Sequence, residues 1–258
     1  MEIKKFWHKI KSVIGLSFQI AKANFKVRNE GSFLGIFWYL LEPLAFFVIL
    51  LFIGGLISQN SIEKYPMYLF LGIMMFNFFT AVTISSTEII QGNADFIKSL
   101  KVNKESFVIS VMLQFIFSHF FEFIILVILT IFMKINILFL LSYPIIFFLF
   151  CLFTMGISFM LSVFGVYVND LKNVWSVFVR LLWFMTPVFY TIGGSGLIHK
   201  ISMFNPLYHF INISRDIIIY HRLPQINTML LAIFYSVSIF LIGLFIFEKN
   251  KNKLAEKI

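Results

Sequence analysis

Beyond Phe33 the chain is a succession of long apolar runs separated by short polar breaks. The runs fall at about 33–57, 67–87, 107–131, 138–168, 173–191 and 226–247. Each has about 20 residues or more, enough to carry a helix across a ~30 Å hydrocarbon core. In lipid a backbone must satisfy its own polar groups, which leaves helices or a closed barrel, and runs this long without alternation mean helices. The pattern predicts an all-α integral membrane fold with six transmembrane helices. Most spans are apolar on every side, so periodicity does not tell a lipid-facing side from a buried one.

The segment before the first run has a different pattern. Ile3, Phe6, Trp7, Ile10, Val13, Ile14, Ser17 and Ala21 fall near one helical face, while Lys4, Lys9, Lys11 and Lys22 fall mostly off it. Such a helix lies in the membrane interface with its lysines toward anionic headgroups. It acts either as an anchor alone or also as a contact for a cytoplasmic partner. This stretch holds no h-region and no small-residue cleavage site, so it does not read as a signal peptide. Three units follow: residues 1–32 as interface helix and membrane approach, 33–247 as one transmembrane domain, and 248–258 as a basic tail.

Two connections carry more pattern than plain loops. In the segment 88–106, Gly92 and Asn93 precede Asp95, and Lys98, Lys101 and Lys104 follow, with Phe96, Ile97 and Leu100 between. Acid near a helix start and base near its end suit the helix dipole. The expectation is a short cytoplasmic helix over about 92–104 whose apolar stripe docks in a soluble partner, against the plainer reading of a solvated connector. The segment 191–225 is too apolar for a free loop and too interrupted for a span. Gly193, Gly194 and Gly196 make a turn, and Asn205-Pro206 stops one helix and starts another. Two short helices that dip into the outer leaflet and return over 192–220 are expected, and broken backbone at that depth implies a pathway with an outer gate.

Charge then sets the orientation. With the N-terminus inside, the inner segments hold 15 of the 21 Lys and Arg residues and the outer ones hold 5. This bias places both termini in the cytoplasm and the protein in the cytoplasmic membrane as a multi-pass chain. The formal charge of +9 is split among membrane-flanking loops, which argues against nucleic-acid binding. Only 13% of residues are charged, about half the share of a soluble domain, which excludes that class. The single cysteine, Cys151, excludes an internal disulfide and reads as a small apolar residue.

Candidate chemistry is sparse. No catalytic constellation stands out. The Gly193–Gly196 turn lacks the Gly-Lys-Ser/Thr ending of a phosphate-binding loop, and His119 with Glu122 offers too few ligands for a metal site. Inside the spans Glu42, Glu122 and Arg180 are the main polar residues, and charges at a helix centre each cost roughly 2.5–3.5 kcal/mol on insertion. Arg180 either snorkels inward, lines a pathway, or pairs with Glu122 or Glu42. Pro43, Pro144 and Pro187 are expected to kink their helices. Gly156, Ser158, Ser162 and Gly165 suit close helix packing. Aromatics gather at Phe37-Trp38-Tyr39 and at Trp183-Phe184 with Phe189-Tyr190. An interfacial belt accounts for Trp38 and Tyr39. The alternative is a channel wall, since pyranose rings present apolar C–H faces that stack on aromatics. For Trp183 and Phe184 the channel reading leads.

These residues resemble a known family. The pattern from Arg28 through Ser32, Leu34, Gly35, Trp38, Pro43 and Leu44 is similar to the first-span approach of ABC-2 type permeases that export polysaccharides, such as O-antigen, capsule and teichoic acid exporters. Asn29 and Glu30 depart from that pattern. Asp170-Leu171, Thr186-Pro187-Val188-Phe189-Tyr190, Asn205-Pro206-Leu207 and Arg215 resemble later family motifs in the same order, with Asn169 in place of an arginine. The resemblance implies a homodimer with two copies of a separate nucleotide-binding ATPase, with ATP and Mg bound there and no cofactor on this chain. It also implies an N-terminal interface helix, a coupling helix between spans two and three, re-entrant gate helices before span six, and a lipid-linked glycan as substrate.

The functional expectation is therefore a permease subunit, itself not an enzyme. Its channel residues would be Phe37, Trp38, Tyr39, Pro43, Arg180, Trp183, Phe184, Phe189 and Tyr190. Asp95, Phe96, Lys98, Leu100, Lys101 and Arg28 would couple to the ATPase. Pro187, Asn205, Pro206 and Arg215 would form the outer gate. An ABC-2 exporter of a small lipid or drug is the nearest rival. An integral-membrane lipid-sugar enzyme would need clustered acids or histidines at one interface, and a secondary transporter would need paired repeats.

Overall fold

The computed structural model describes residues 2–30, 33–57, 62–99, 102–191 and 202–257. Every regular element among them is helical: α1 Glu2–Asn29, α2 Trp38–Ile57, α3 Tyr65–Glu88, α4 Ala94–Ser99, α5 Glu105–Phe132, α6 Tyr143–Tyr167, α7 Leu171–Met185, α8 Pro206–Ile218 and α9 Ile226–Lys257. Short 3-10 turns at Gly35–Phe37, Gln91–Asn93 and Ile137–Ser142 lead into α2, α4 and α6. Four stretches, Tyr65–Glu88, Glu105–Phe132, Ile137–Tyr167 and Ile226–Leu254, are long and apolar enough to cross a membrane. The first expected span reads as a shorter apolar helix, Leu40–Gly54, and the fifth, α7, has only 15 residues.

The apolar face expected on α1 is divided. Val13, Ser17 and Ala21 are buried, and α1 packs along α5. Phe18 and Phe25 meet Phe117 edge-on at 5.8 and 6.1 Å, and the Ser106 hydroxyl donates to the Val13 carbonyl at 3.2 Å. Trp7 and Ile14 on the same helix stay exposed, which leaves them for lipid.

α3 is the central helix. From Met67 to Phe76 it is buried without a break, and α2, α5, α6, α7 and α8 all touch it. Between helices in lipid, close backbone approach replaces the hydrophobic effect as the source of packing energy. α6 and α9 exploit this. They run parallel, with Ser236 donating to the Leu149 carbonyl at 2.9 Å and Gly156 set against Gly243 further along. A Cβ at either glycine would overlap the other helix's backbone. A smaller apolar cluster of Ile97, Phe107, Phe159, Phe247 and Leu254 pins α4 to α5, α6 and α9.

The prolines divide differently from expectation. Pro43 sits inside α2, but Pro144 lies in the first turn of α6 and Pro187 lies beyond the end of α7. A proline in a first turn removes a donor that has no helical partner anyway, so Pro144 starts a helix and does not kink one.

Candidate functional site

α7 stops because Pro187 cannot continue it and the residue before a proline is driven from helical to extended backbone. Thr186 has φ −104° and ψ 128° accordingly. At about 1.5 Å per residue, the 15 residues of α7 reach roughly 22 Å, short of a full hydrocarbon crossing. The carbonyls of residues 187–190 thus lack helical donors, and each finds another one.

Arg215, on α8, supplies two of these. Its side chain is only 1% exposed. Nη1 donates to the Pro187 carbonyl at 2.6 Å and Nη2 to the Val188 carbonyl at 2.8 Å. Nε and Nη2 also donate to the Tyr68 carbonyl of α3 at 3.2 and 3.0 Å. The guanidinium carbon lies 3.4 Å from the centre of the Tyr68 ring. Carbonyl dipoles and a ring face thus take the part a carboxylate would otherwise play. The Tyr65 hydroxyl donates to the Phe189 carbonyl at 3.2 Å and the Tyr68 hydroxyl to the Tyr190 carbonyl at 2.8 Å. Gly72 leaves the room: a Cβ there would sit 2.7 Å from Arg215 Nη2.

Asn205 closes the other side. Its Oδ1 accepts from the Leu207 amide at 3.0 Å, capping α8, and its Nδ2 donates to Thr186 Oγ1 at 2.8 Å. With Pro206 in the first helical turn, the Asn-Pro step starts α8 and ties it to the end of α7 in one residue. Pro187, Asn205, Pro206 and Arg215 thus meet at one junction. The first half of the expected re-entrant pair, including Gly193–Gly196, lies outside the described residues.

Beside this junction opens a cavity of about 600 Å³. α7 contributes Arg180, Trp183 and Phe184, the following segment Phe189 and Tyr190, and α3 Tyr65. Phe46, Leu50, Ile53 and Gly54 of α2 form the facing wall. Trp183 is fixed by rings on three sides: Phe76 at 4.8 Å edge-on, Phe46 at 5.5 Å and Phe189 at 6.5 Å. Phe184, 68% exposed, is not held in this way. The arrangement is an apolar, ring-lined recess with one exposed guanidinium at Arg180, suited to a ligand with flat apolar faces.

The remaining channel candidates lie elsewhere. Phe37 and Trp38 are exposed at the start of α2, next to Tyr39, and Pro43 lines a second cavity with Glu42. Among the described residues Arg180 forms no ion pair with Glu122 or Glu42, and Glu122 is engaged by His119. His119 Nδ1 lies 2.7 Å from Glu122 Oε2, and His119 Nε2 lies 2.7 Å from the Tyr143 hydroxyl. The i, i+3 spacing of His119 and Glu122 was visible in the sequence, but Tyr143 comes from the next span.

Among the coupling candidates, Asp95 and Lys98 are exposed at the two ends of α4, Phe96 is 61% exposed, and Ile97 turns into the protein. Leu100 and Lys101 lie outside the described residues, and Arg28 is in the last turn of α1. Sequence reasoning missed how this segment is tied to α7. Lys172 pairs with Glu88 at 2.7 Å, and Gln91 Nε2 donates to Asn169 Oδ1 at 3.3 Å. α7 is therefore joined to the α3–α4 connection at its start and to the Arg215 junction at its end.

The family model described as ABC-2 type transporter matches residues 16–219. The O-antigen export system permease protein RfbA of Myxococcus xanthus is 22% identical over 258 residues, covering 95% of each chain. Two O-antigen export system permease proteins RfbA of Klebsiella pneumoniae are 28% and 29% identical, each over 92% of both chains.

Proposed function

The chain belongs to the ABC-2 type transporter family, and we propose that it is the permease subunit of an ATP-driven exporter of a lipid-linked polysaccharide. The relatives named as O-antigen export permeases support the substrate class. The observation in this chain that carries the reading is the ring-lined cavity between α2 and α7, where sugar C–H faces can stack while a polymer slides past weak contacts. In this reading two copies of the chain pair in the cytoplasmic membrane with both termini inside. Each has six spans, counting α2 and α7, and α8 belongs to a re-entrant gate. A separate ATPase dimer binds ATP and Mg and does the hydrolysis.

Coupling then follows the ties around α7. The ATPase presses on Asp95, Phe96 and Lys98 of α4. The Glu88–Lys172 and Gln91–Asn169 contacts carry that displacement to the start of α7. α7 moves against the Arg215 junction, and Trp183 and Phe184 shift relative to α2.

The test is co-purification with the ATPase encoded alongside, combined with export in cells lacking the chromosomal copy. Loss of the chain should leave lipid-linked glycan inside the cell, and a deletion across 92–104 should do the same with the chain still in the membrane. Full export after that deletion, with no ATPase accompanying the chain, overturns the reading. Accumulation of a lipid or a drug instead of glycan would transfer the same mechanism to the other substrate class.

A further inference from the structure

Glu42, Phe46, Leu50, Ile53 and Gly54 fall on one face of α2 at helical spacing, and that face connects two cavities. Its second half walls the aromatic cavity against α7. Its first half walls a different cavity of about 420 Å³ between α2, α3 and α5, and Phe46 belongs to both.

The second cavity adds polar groups to an apolar lining of Pro43, Phe46, Phe78, Ala81 and Phe115. Asn77 and Thr80 of α3, Ser118 and Glu122 of α5, and Glu42 of α2 all line it. Glu122 is 8% exposed. Its Oε2 is engaged by His119, whose ring stacks on Phe147 at 4.3 Å and is held on its far side by Tyr143. Thr80 Oγ1 is buried with no hydrogen-bond partner among the described residues. A buried hydroxyl without a partner, beside a cavity of ligand size that a buried carboxylate also lines, marks a place where a ligand completes the hydrogen bonding.

We propose that this cavity is a second glycan subsite, which binds neutral sugar units through their hydroxyl groups. Glu122 and Glu42 accept from those hydroxyls, Thr80 and Asn77 complete the polar wall, and Phe46 passes the ring on to the aromatic cavity. No Lys or Arg lines the site, so two carboxylates repel a diphosphate. No group of three or more His, Cys, Asp or Glu residues suited to a metal ion occurs among the described residues. Hydroxyl donors match the acceptor-rich wall, and charge-assisted acceptance by carboxylates is the strong form of that bond. Glu42 lies near the start of α2, so with the N-terminus inside a glycan meets the polar cavity before the aromatic one. The inference rests on the polysaccharide-export reading.

The experiment uses the assembled transporter in membranes, with Cys151→Ala as background and Ser118→Cys or Phe184→Cys added singly. The probe is 2-aminoethyl methanethiosulfonate. Membranes from cells that make the glycan, stalled with vanadate, are compared with membranes from cells that make none. Labelling of both cysteines in glycan-free membranes and its loss at both in stalled ones supports the subsite. Protection at 184 with full labelling at 118 overturns it and leaves the export reading intact. Protection at neither position overturns both, and failure to label 118 in either preparation shows a closed cavity and overturns the subsite. In parallel, Glu122→Gln should slow export about tenfold, the loss of one charge-assisted hydrogen bond, with unchanged size-exclusion behaviour. Wild-type export by that variant also refutes the proposal.

Discussion

Replacing Arg215 is the most demanding test of the junction at the end of α7. In Arg215→Met the carbonyls of Tyr68, Pro187 and Val188 lose the donors that now lie 2.6–3.2 Å away. The Tyr68 carbonyl keeps its helical donor in α3, but the Pro187 and Val188 carbonyls are orphaned, and at about 1–3 kcal/mol for each buried group the gross loss is roughly 2–6 kcal/mol. Relief from burying a charge offsets part of this and leaves about 2–4 kcal/mol net. That corresponds to a fall in Tm on the order of 4–16 °C for a chain of this size. Arg215→Lys keeps the charge but not the planar fork, so it should fall between wild type and Arg215→Met. Thermal unfolding of purified protein in one detergent measures the order, and hydrogen exchange at residues 188–191 localises the loss. Gly72→Ala supplies the coupling control. It should destabilise the wild-type chain by crowding Nη2, and less so in the Arg215→Met background, where that atom is gone. An unchanged Tm in Arg215→Met, or strictly additive effects of the two substitutions, would refute the clamp.

Three further outcomes follow from the same geometry. Phe184→Ala removes a largely exposed ring, so it should change stability by less than about 0.5 kcal/mol while lowering glycan export; equal loss of stability and export would assign the ring to folding. Lys172→Glu should slow export with a stability change within about 1 kcal/mol, because the pair with Glu88 is solvent-exposed, and Glu88→Lys in the same chain should restore export if the tie carries motion. Gly156→Leu should separate α6 from α9 and cost about 1–3 kcal/mol or more through overpacking, seen as lost monodispersity on size-exclusion chromatography, whereas Gly92→Ala, where a Cβ meets nothing within 4 Å, should not.

Some of the site was legible because its signals are local. Asn205-Pro206 starts a helix whatever surrounds it, so the start of α8 could be placed from neighbouring residues alone, whereas Pro187, expected to kink the fifth span, ends α7 instead. Trp183, Phe184, Phe189 and Tyr190 sit close enough along the chain that one helix end gathers them. Pro144 shows the limit of local reading. Its effect depends on whether a helix already exists before it, and the 3-10 turn at Ile137–Ser142 decides that. The partners of Arg215 were not legible at all. They are backbone carbonyls, one of them 147 residues away, and every residue type carries a carbonyl. The spacing of His119 and Glu122 is local, but Tyr143 and Phe147, which hold the imidazole, belong to another span.

Length, apolarity and charge bias thus fixed the helices and the membrane class, since these depend on the solvent that each segment requires. They did not rank the helices. α3 is apolar like its neighbours, and only the packing makes it the buried one. Nor could they show that one face of α2 walls two cavities, because the far walls come from α3, α5 and α7. In a bundle where lipid and protein interior are equally apolar, hydrophobicity places residues in the membrane, and only the three-dimensional arrangement of carbonyls, glycines and a few buried polar groups decides which face meets which.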